Sequence, residues 1–363
     1  IDSERLAQLG VETQGDIDAI ASRIYELAGE EFNIDSTKQM QRILFEVLGL
    51  KPKKKILTGY STNATTLREL AKEHELPGLV LRYRELSKIK STYIDALPPL
   101  RLADGRLHTQ FHQTVTTTGR LSSSNPNLQN IPVRSEFGRS IRACFLPLSP
   151  EQLFVSADYS QIELRLLAHL SGDEHLIDAF NSGADFHAAT AARVNDVGID
   201  QVTPEMRTHA KAVNFGIVYG QQAFGLAQSL DIGIDEAQSI IDRYFEAYPG
   251  VRTYLDEVVE AARQDGYAET MFGRRRHIPE LSVKNRTQRA FGERTAMNHP
   301  MQGSAADIIK LAMAEVMRRL DSEGFAAQLM LQVHDELDFS VPPAEVDRLT
   351  AMVTDAMQGV VEL

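Results

Sequence analysis

Three groups of residues have types and spacings that suit chemistry. Asp158 follows the apolar run Leu153-Phe154-Val155-Ser156-Ala157, and Asp335 and Glu336 lie between two further runs, Leu329–Val333 and Leu337–Val341. Carboxylates at strand ends suit hard cations such as magnesium, which prefers oxygen ligands and keeps part of its hydration for a phosphate substrate. Two such cations close together would activate an attacking oxygen and stabilise a leaving one in phosphoryl transfer. The competing reading is ordinary: an Asp after a strand is often a cap, and Asp-Glu in a hairpin is common turn chemistry.

Arg207, Lys211, Phe215 and Tyr219 recur every fourth residue. On a helix each step drifts about 40°, so the four wind slowly along one face over ~18 Å. That length suits an extended triphosphate carrying a sugar and base, with the cationic side chains on the phosphates and the rings towards the base. A solvated Arg-Lys edge above two core aromatics has the same spacing. Gly216 and Gly220 favour close approach by another group, because glycine in a helix is costly. The third group, Thr118-Gly119-Arg120-Leu121-Ser122-Ser123-Ser124 followed by Asn125 to Pro132, is rich in turn formers and amides that could contact a sugar-phosphate backbone or base edges.

The elements that must position these residues can be read coarsely. Helical patterns cover Ile17 to Ala28, Ser36 to Leu48 with Ser36 as N-cap, Thr65 to His74 and Leu79 to Tyr93. The pattern breaks at Leu97-Pro98-Pro99, and Arg106 to Thr118 alternates as a strand does. Leu153 to Ala157 reads as a buried strand leading into a helix from Gln161 to Leu170. Helical signals then dominate to about residue 320, before two strands joined at His334-Asp335-Glu336. The order is helical unit, sheet, helical insertion, sheet again, so one sheet is assembled from distant segments.

A length of 363 residues predicts two or three packed units, and 43% hydrophobic with 24% charged residues predicts a globular chain. A single cysteine excludes a disulfide framework, and Cys144 reads as a small core residue. No apolar run has the length of a membrane span and the first residues lack a signal-peptide pattern, so a soluble, cytoplasmic protein is expected. The net charge of -12 argues against a chain coated in nucleic acid. Basic residues are nevertheless concentrated at Lys51, Lys53, Lys54 and Lys55 and at Arg274, Arg275, Arg276, Lys284, Arg286, Arg289 and Arg294. There is no phosphate loop ending in Gly-Lys-Ser/Thr, dinucleotide fingerprint, two-histidine zinc helix or Gly-x-Ser-x-Gly elbow. Ordinary kinases, dehydrogenases and serine hydrolases lose support.

Together the segments resemble the polymerase domain of family A DNA polymerases, the bacterial DNA polymerase I type. Asp158-Tyr159-Ser160-Gln161-Ile162-Glu163-Leu164-Arg165 is similar to motif A, Arg207-x3-Lys211-x7-Tyr219-Gly220 to motif B, and His334-Asp335-Glu336 to motif C. Thr118 to Pro132 and Asn298-x-Pro300-x-Gln302-Gly303-x-Ala305-Ala306-Asp307 also match, in the same order. The resemblance implies an α+β right-hand fold with an antiparallel-sheet palm: a helical thumb over 1–107, palm over 108–170 and 290–363, and helical fingers over 171–289.

By resemblance, Asp158, Asp335 and the Tyr159 carbonyl bind two Mg2+ ions, with Mn2+ as a substitute, and Glu336 supports the metals and primer end. Arg207, Lys211 and His187 hold the triphosphate, Lys211 also protonating the leaving pyrophosphate. Gln161 and Tyr159 belong to the nucleotide site, and Phe215 packs on the sugar and base. Glu163 is the steric gate against a ribose 2'-hydroxyl. Tyr219 and Gly220 lie where the templating base enters. Arg120, Asn298 and Gln302 read minor-groove acceptors shared by all correct pairs, and Arg294 and His334 support the primer terminus. Some members carry tyrosine at the position of Phe215 and accept dideoxynucleotides readily; phenylalanine resembles the discriminating type.

The expected partners are primer-template DNA and dNTP, with no membrane, for a monomer doing repair and gap-filling synthesis in the bacterial cytoplasm near the nucleoid. A single-subunit RNA polymerase shares the palm acids and the Arg/Lys/Tyr helix, but Glu163 and Thr118 to Pro132 favour DNA. Full-length members have exonuclease-like domains before this region and a further palm strand after it. On that pattern residues 1–363 are expected to lack proofreading and 5'-nuclease activity and to leave a sheet edge unpaired, and a DNA-binding fragment without catalysis is the alternative.

Overall fold

The computed structural model describes residues 1–132, 136–183 and 185–363. It divides into two compact units, one of residues 1–110 with 124–146 and the other of residues 111–123 with 147–363.

The first unit is helical. Its opening helix, Ser3–Ala28, is capped by Asp2, whose side chain accepts from Arg5 N at 2.8 Å, and it ends at Gly29 in a left-handed conformation. Leu6, Leu9, Thr13, Ile17, Ile24 and Ala28 form its buried stripe. Ser36 caps Thr37–Arg42 as its side chain predicts, and the chain runs on through a π-turn, Ile43–Val47. Glu75–Ile89 likewise continues through Lys90–Ile94. Ile24, Met40, Ile43, Leu44, Leu67, Leu70 and Val80 make one core, and Leu6, Leu9, Ile89, Ile94, Ile141 and Cys144 a smaller one. Cys144 is the core residue its context suggests.

The strand expected over Arg106 to Thr118 is confined to Gln110–His112, with Ser122–Ser124 as its partner in a two-stranded sheet. The intervening residues turn instead, because a Thr hydroxyl can satisfy the backbone locally where no neighbouring strand does. Thr116 Oγ1 donates to the Arg120 carbonyl at 2.5 Å, and Gly119 takes φ 84°.

In the second unit, the strands Leu153–Asp158, Glu336–Val341 and Gln328–Val333 form an antiparallel sheet, with Glu336–Val341 in the centre. The central strand is the most buried because it is covered on both edges. Leu337, Phe339 and Val341 pack on Ile309, Ala312, Val316 and the inner face of Val346–Gly359. A second core gathers Leu164, Leu167, Val213, Ile217, Tyr244, Tyr248, Met301 and Ala305 from helices that include Ile162–Ser171, Pro204–Val218 and Ile234–Ala247. The longest helix, Arg286–Ser322, supplies residues to both cores. Among the described residues no helix is long and apolar enough to cross a membrane.

Candidate active site

Sheet register positions the carboxylates. Asp158, the last residue of its strand, stands opposite Glu336, and the Tyr159 N–H donates to the Asp335 carbonyl at 3.1 Å. Directly opposed residues in an antiparallel pair have Cβ atoms only ~4.5–5.5 Å apart, so like charges there repel. Asp335 lies in the two-residue turn with His334, which accepts a left-handed φ of 56°, uncommon for a residue with a side chain.

Burial, then the charges of Glu336 and Asp335, push the Asp158 carboxyl up to about 6. Burial also raises Asp335, against the pull of Arg120 and His334. Asp335 Oδ1 is buried without a hydrogen-bond partner among the described residues, and Arg120 Nη2 stands 3.7 Å away. Crowded carboxylates and an unsatisfied acceptor suit a divalent cation. Among the described residues no three His, Cys, Asp or Glu side chains form a ready-made cage. A cation on Asp158, Asp335 and the Tyr159 carbonyl would therefore complete its shell with water or substrate oxygens, as magnesium does.

Beside the carboxylates lies a second cluster. Glu163, in the first turn of Ile162–Ser171, is 7% exposed. Arg120 Nη2 donates to its Oε1 at 2.5 Å, and the Tyr219 hydroxyl lies close enough to feel its charge. Burial raises the Glu163 carboxyl despite Arg120, while burial and Glu163 push the Tyr219 hydroxyl up to about 12. Arg120 Nε is buried and has no hydrogen-bond partner among the described residues. One guanidinium thus spans Glu163 and Asp335.

The helix Pro204–Val218 is capped by the Thr203 side chain, which accepts from Met206 N at 3.2 Å, and has Pro204 preset in its first turn. It carries Arg207, Lys211 and Phe215, with Tyr219 as its C-cap and Gly220 just beyond at φ 61°. A Cβ on Gly220 would come within 2.9 Å of Arg294 Cγ, so glycine permits this approach. Phe215 lies 5.7 Å from the His187 ring, and Gln161 Nε2 is 3.5 Å from His187 Nε2. Burial lowers His187, with Arg207 and Lys211 adding to the effect. Those four expected nucleotide-site residues therefore share one region with Gln161.

Arg294, Asn298 and Gln302 follow at four-residue intervals on Arg286–Ser322 and face one way. Asn298 Nδ2 donates to the Val218 carbonyl at 3.3 Å. Among the described residues the Gln302 side chain makes no hydrogen bond, so the fold places it on that face without tying it to the cluster.

Several residues here escaped sequence reasoning. Arg207 gives Nε and Nη2 to Asp185 Oδ2 at 3.2 and 2.7 Å, while Asp185 caps Phe186–Asn195 through Ala188 N. Arg274, one of the concentrated bases, gives Nε and Nη2 to Asp307 Oδ1 at 2.8 and 2.6 Å, and Thr270 Oγ1 donates to Oδ2 at 2.9 Å. Lys310 Nζ donates to the Gly119 carbonyl. Asn214 is fully buried inside a helix. Asn is a poor interior helix residue, and that mismatch was the available signal.

A cavity of about 600 Å³ lies next to Asp158 but is walled largely by apolar side chains such as Val155, Ile162, Val353 and Met357. It does not suit phosphate.

The family model described as DNA polymerase family A matches residues 3–363. DNA polymerase I of Geobacillus stearothermophilus is 50% identical over all of this chain, and that of Bacillus subtilis (strain 168) 49%; the chain spans 42% and 41% of their respective lengths. Among solved structures, the POL domain of Pol1 from M. smegmatis, in complex with DNA primer-template and dNTP, is 44% identical, superposes with a TM-score of 0.95 and is matched over 100% of this chain and 64% of its own. The α+β polymerase fold expected from the motifs is thus the fold of this chain. On motif order, fold and whole-chain similarity alike, the protein belongs to DNA polymerase family A.

Proposed function

We propose that the chain catalyses template-directed DNA synthesis, adding deoxynucleoside monophosphates from dNTPs to a primer 3'-hydroxyl in repair and gap filling. The observation that carries this reading is the meeting of Asp158, Asp335 and Glu336 at one end of the sheet. The mycobacterial relative, solved with primer-template and dNTP, supports the substrate class. In this reading residues 1–107 are the thumb, 108–170 and 290–363 the palm, and 171–289 the fingers, acting as a monomer in the bacterial cytoplasm near the nucleoid.

The primer oxygen attacks the α-phosphorus, the α–β bridging bond breaks and pyrophosphate leaves. Two magnesium ions, or manganese in their place, supply Lewis-acid activation and charge neutralisation when bound by Asp158, Asp335 and the Tyr159 carbonyl. Glu336 supports that site and the primer end. Arg207, Lys211 and His187 hold the triphosphate, with Gln161 and Tyr159 beside it, and Lys211 delivers a proton to the departing pyrophosphate. Phe215 packs on sugar and base. Glu163, held by Arg120 and close to Tyr219, denies space to a 2'-hydroxyl. Tyr219 and Gly220 border the templating base; Arg120, Asn298 and Gln302 read the minor groove, and Arg294 and His334 brace the primer terminus. Most of the rate enhancement then comes from positioning and preset charge.

Primer extension on a recessed template with magnesium, beside Asp335→Ala and a ribonucleotide lane, tests this. Deoxynucleotide-selective extension that vanishes in the variant is expected. Primer-template binding without extension would instead identify a DNA-binding fragment lacking catalytic alignment.

A further inference from the structure

Hydrogen-bond bookkeeping behind the triphosphate helix fixes a detail that the motifs do not contain. Asn214 and His187 are both buried, at 0% and 4% exposure. Asn214 Nδ2 lies 3.2 Å from Thr190 Oγ1 and 3.1 Å from His187 Nδ1. Thr190 has one hydroxyl hydrogen, and it goes to the Phe186 carbonyl at 3.0 Å. With that hydrogen committed, its oxygen accepts from Asn214, whose amide nitrogen faces Thr190 and whose Oδ1 is left buried with no hydrogen-bond partner among the described residues. The second hydrogen of that nitrogen then points at His187 Nδ1. A ring nitrogen facing a donor must accept, which leaves the proton of a neutral imidazole on Nε2. The opposite amide orientation would set Asn214 Oδ1 against a hydroxyl with no hydrogen to give.

We propose that Asn214 is a positioning residue that holds His187 as the neutral Nε2–H tautomer, presenting one fixed N–H donor to a phosphate oxygen of the incoming nucleotide. The proposal rests on the reading of His187 as a triphosphate contact. On the other side of the ring, His187 Nε2 faces Gln161 Nε2 at 3.5 Å. In that tautomer both nitrogens carry hydrogens, so this contact is not a hydrogen bond between them and the ring N–H is left for an outside acceptor. The charged groups around the imidazole are Asp185, next to its own helix, and Arg207 and Lys211 on Pro204–Val218. Burial lowers the ring below its ordinary 6.5, so it is neutral at pH 8. A neutral ring adds a donor without a third positive charge beside Arg207 and Lys211, and a donor fixed in direction loses less freedom on binding.

The test uses the whole chain with nitrogen-15-labelled histidine, and His187→Gln to assign the signals. At pH 8 a bare Nδ1 and a protonated Nε2 are expected. The reverse tautomer, or a mixture, overturns the proposal whatever the chain does with DNA, so this arm stands apart from the polymerase reading. Asn214→Asp replaces the donor with an acceptor of the same shape. It is expected to move the proton to Nδ1 and to raise the dNTP KM about tenfold with a smaller change in kcat, the pattern of lost ground-state binding. Asn214→Leu, which removes the donor without adding charge, should give mixed tautomers and a smaller rise in KM. A switched tautomer with an unchanged KM in Asn214→Asp would overturn the claim that the fixed donor serves the nucleotide.

Discussion

Arg207, proposed above to hold the triphosphate, is already paired with a carboxylate. Asp185 accepts from both its Nε and Nη2, so a nucleotide that recruits this guanidinium competes with an existing exposed ion pair. Asp185→Asn keeps the helix cap, since Asn caps as well as Asp, but removes the competing charge. Exposed pairs are weak, so the expected effect is a fall in dNTP KM of about two- to fivefold, read by steady-state primer extension. A raised KM would mean that Asp185 aims Arg207 rather than competing for it. The same pair has a pH signature. Arg207's hydrogen bond holds Asp185 below its ordinary 3.8, so the small stability it contributes is present above that value and is lost as pH falls through the lower folded-state value. In Arg207→Ala the Asp185 midpoint is expected to rise towards 3.8, as carbon-13 NMR of the carboxyl would show. At Phe215, Phe215→Tyr is expected to relax rejection of dideoxynucleotides, measured by competition with the matching dNTP; equal use of both by the unaltered chain would remove the basis for that expectation.

Elements act on the site through their joints. The turn at Gly119 delivers Arg120 to Glu163 and Asp335, and it is held by Lys310 on its carbonyl and by Arg274 against its face. A Cβ at Gly119 would lie 2.6 Å from Arg274 Nε, in a backbone with φ 84° that disfavours a side chain. Gly119→Ala is therefore expected to cost ~1–3 kcal/mol in chemical unfolding, with primer extension reduced further than stability alone explains. Asp307→Asn tests the support beneath. Asp307 is nearly buried while Arg274 is 40% exposed, so the loss should be ~1–3 kcal/mol, below the ~3–5 typical of breaking a fully buried pair. If both variants kept full extension activity, the turn would not be what positions Arg120.

For the molecule as a whole, the charge balance of -12 and the proposed DNA partner are compatible only if bases are locally concentrated. The fold removes some of them from that role: Arg274 is paired with Asp307, Arg275 with Glu269, and Lys53 with Glu73. Lys54 and Lys55 remain exposed around the hairpin formed by Lys55–Ile56 and Gly59–Tyr60. Replacing both with glutamine is expected to lower the slope of log Kd against log salt by about 2 if each contacts a phosphate. An unchanged slope would place the DNA elsewhere.

The sequence by itself determined the order of the motifs, the two-part sheet and the catalytic candidates. Strand ends, caps and four-residue spacing are local in the chain, and local chemistry is enough to read them. Ser36 as a cap, Cys144 as core and Asp158 at a strand end are of this kind. Tertiary structure alone decided which partner each polar atom would find. Asp185 with Arg207, Arg274 with Asp307, Lys310 with the Gly119 carbonyl and Asn214 with His187 join residues 22, 33, 191 and 27 positions apart. The shortening of the strand expected over Arg106 to Thr118 to Gln110–His112 has the same cause in reverse, since propensity names a strand but only a neighbour along its edge can complete one. Side-chain pairing depends on distances that packing sets, and no periodicity in the chain encodes them.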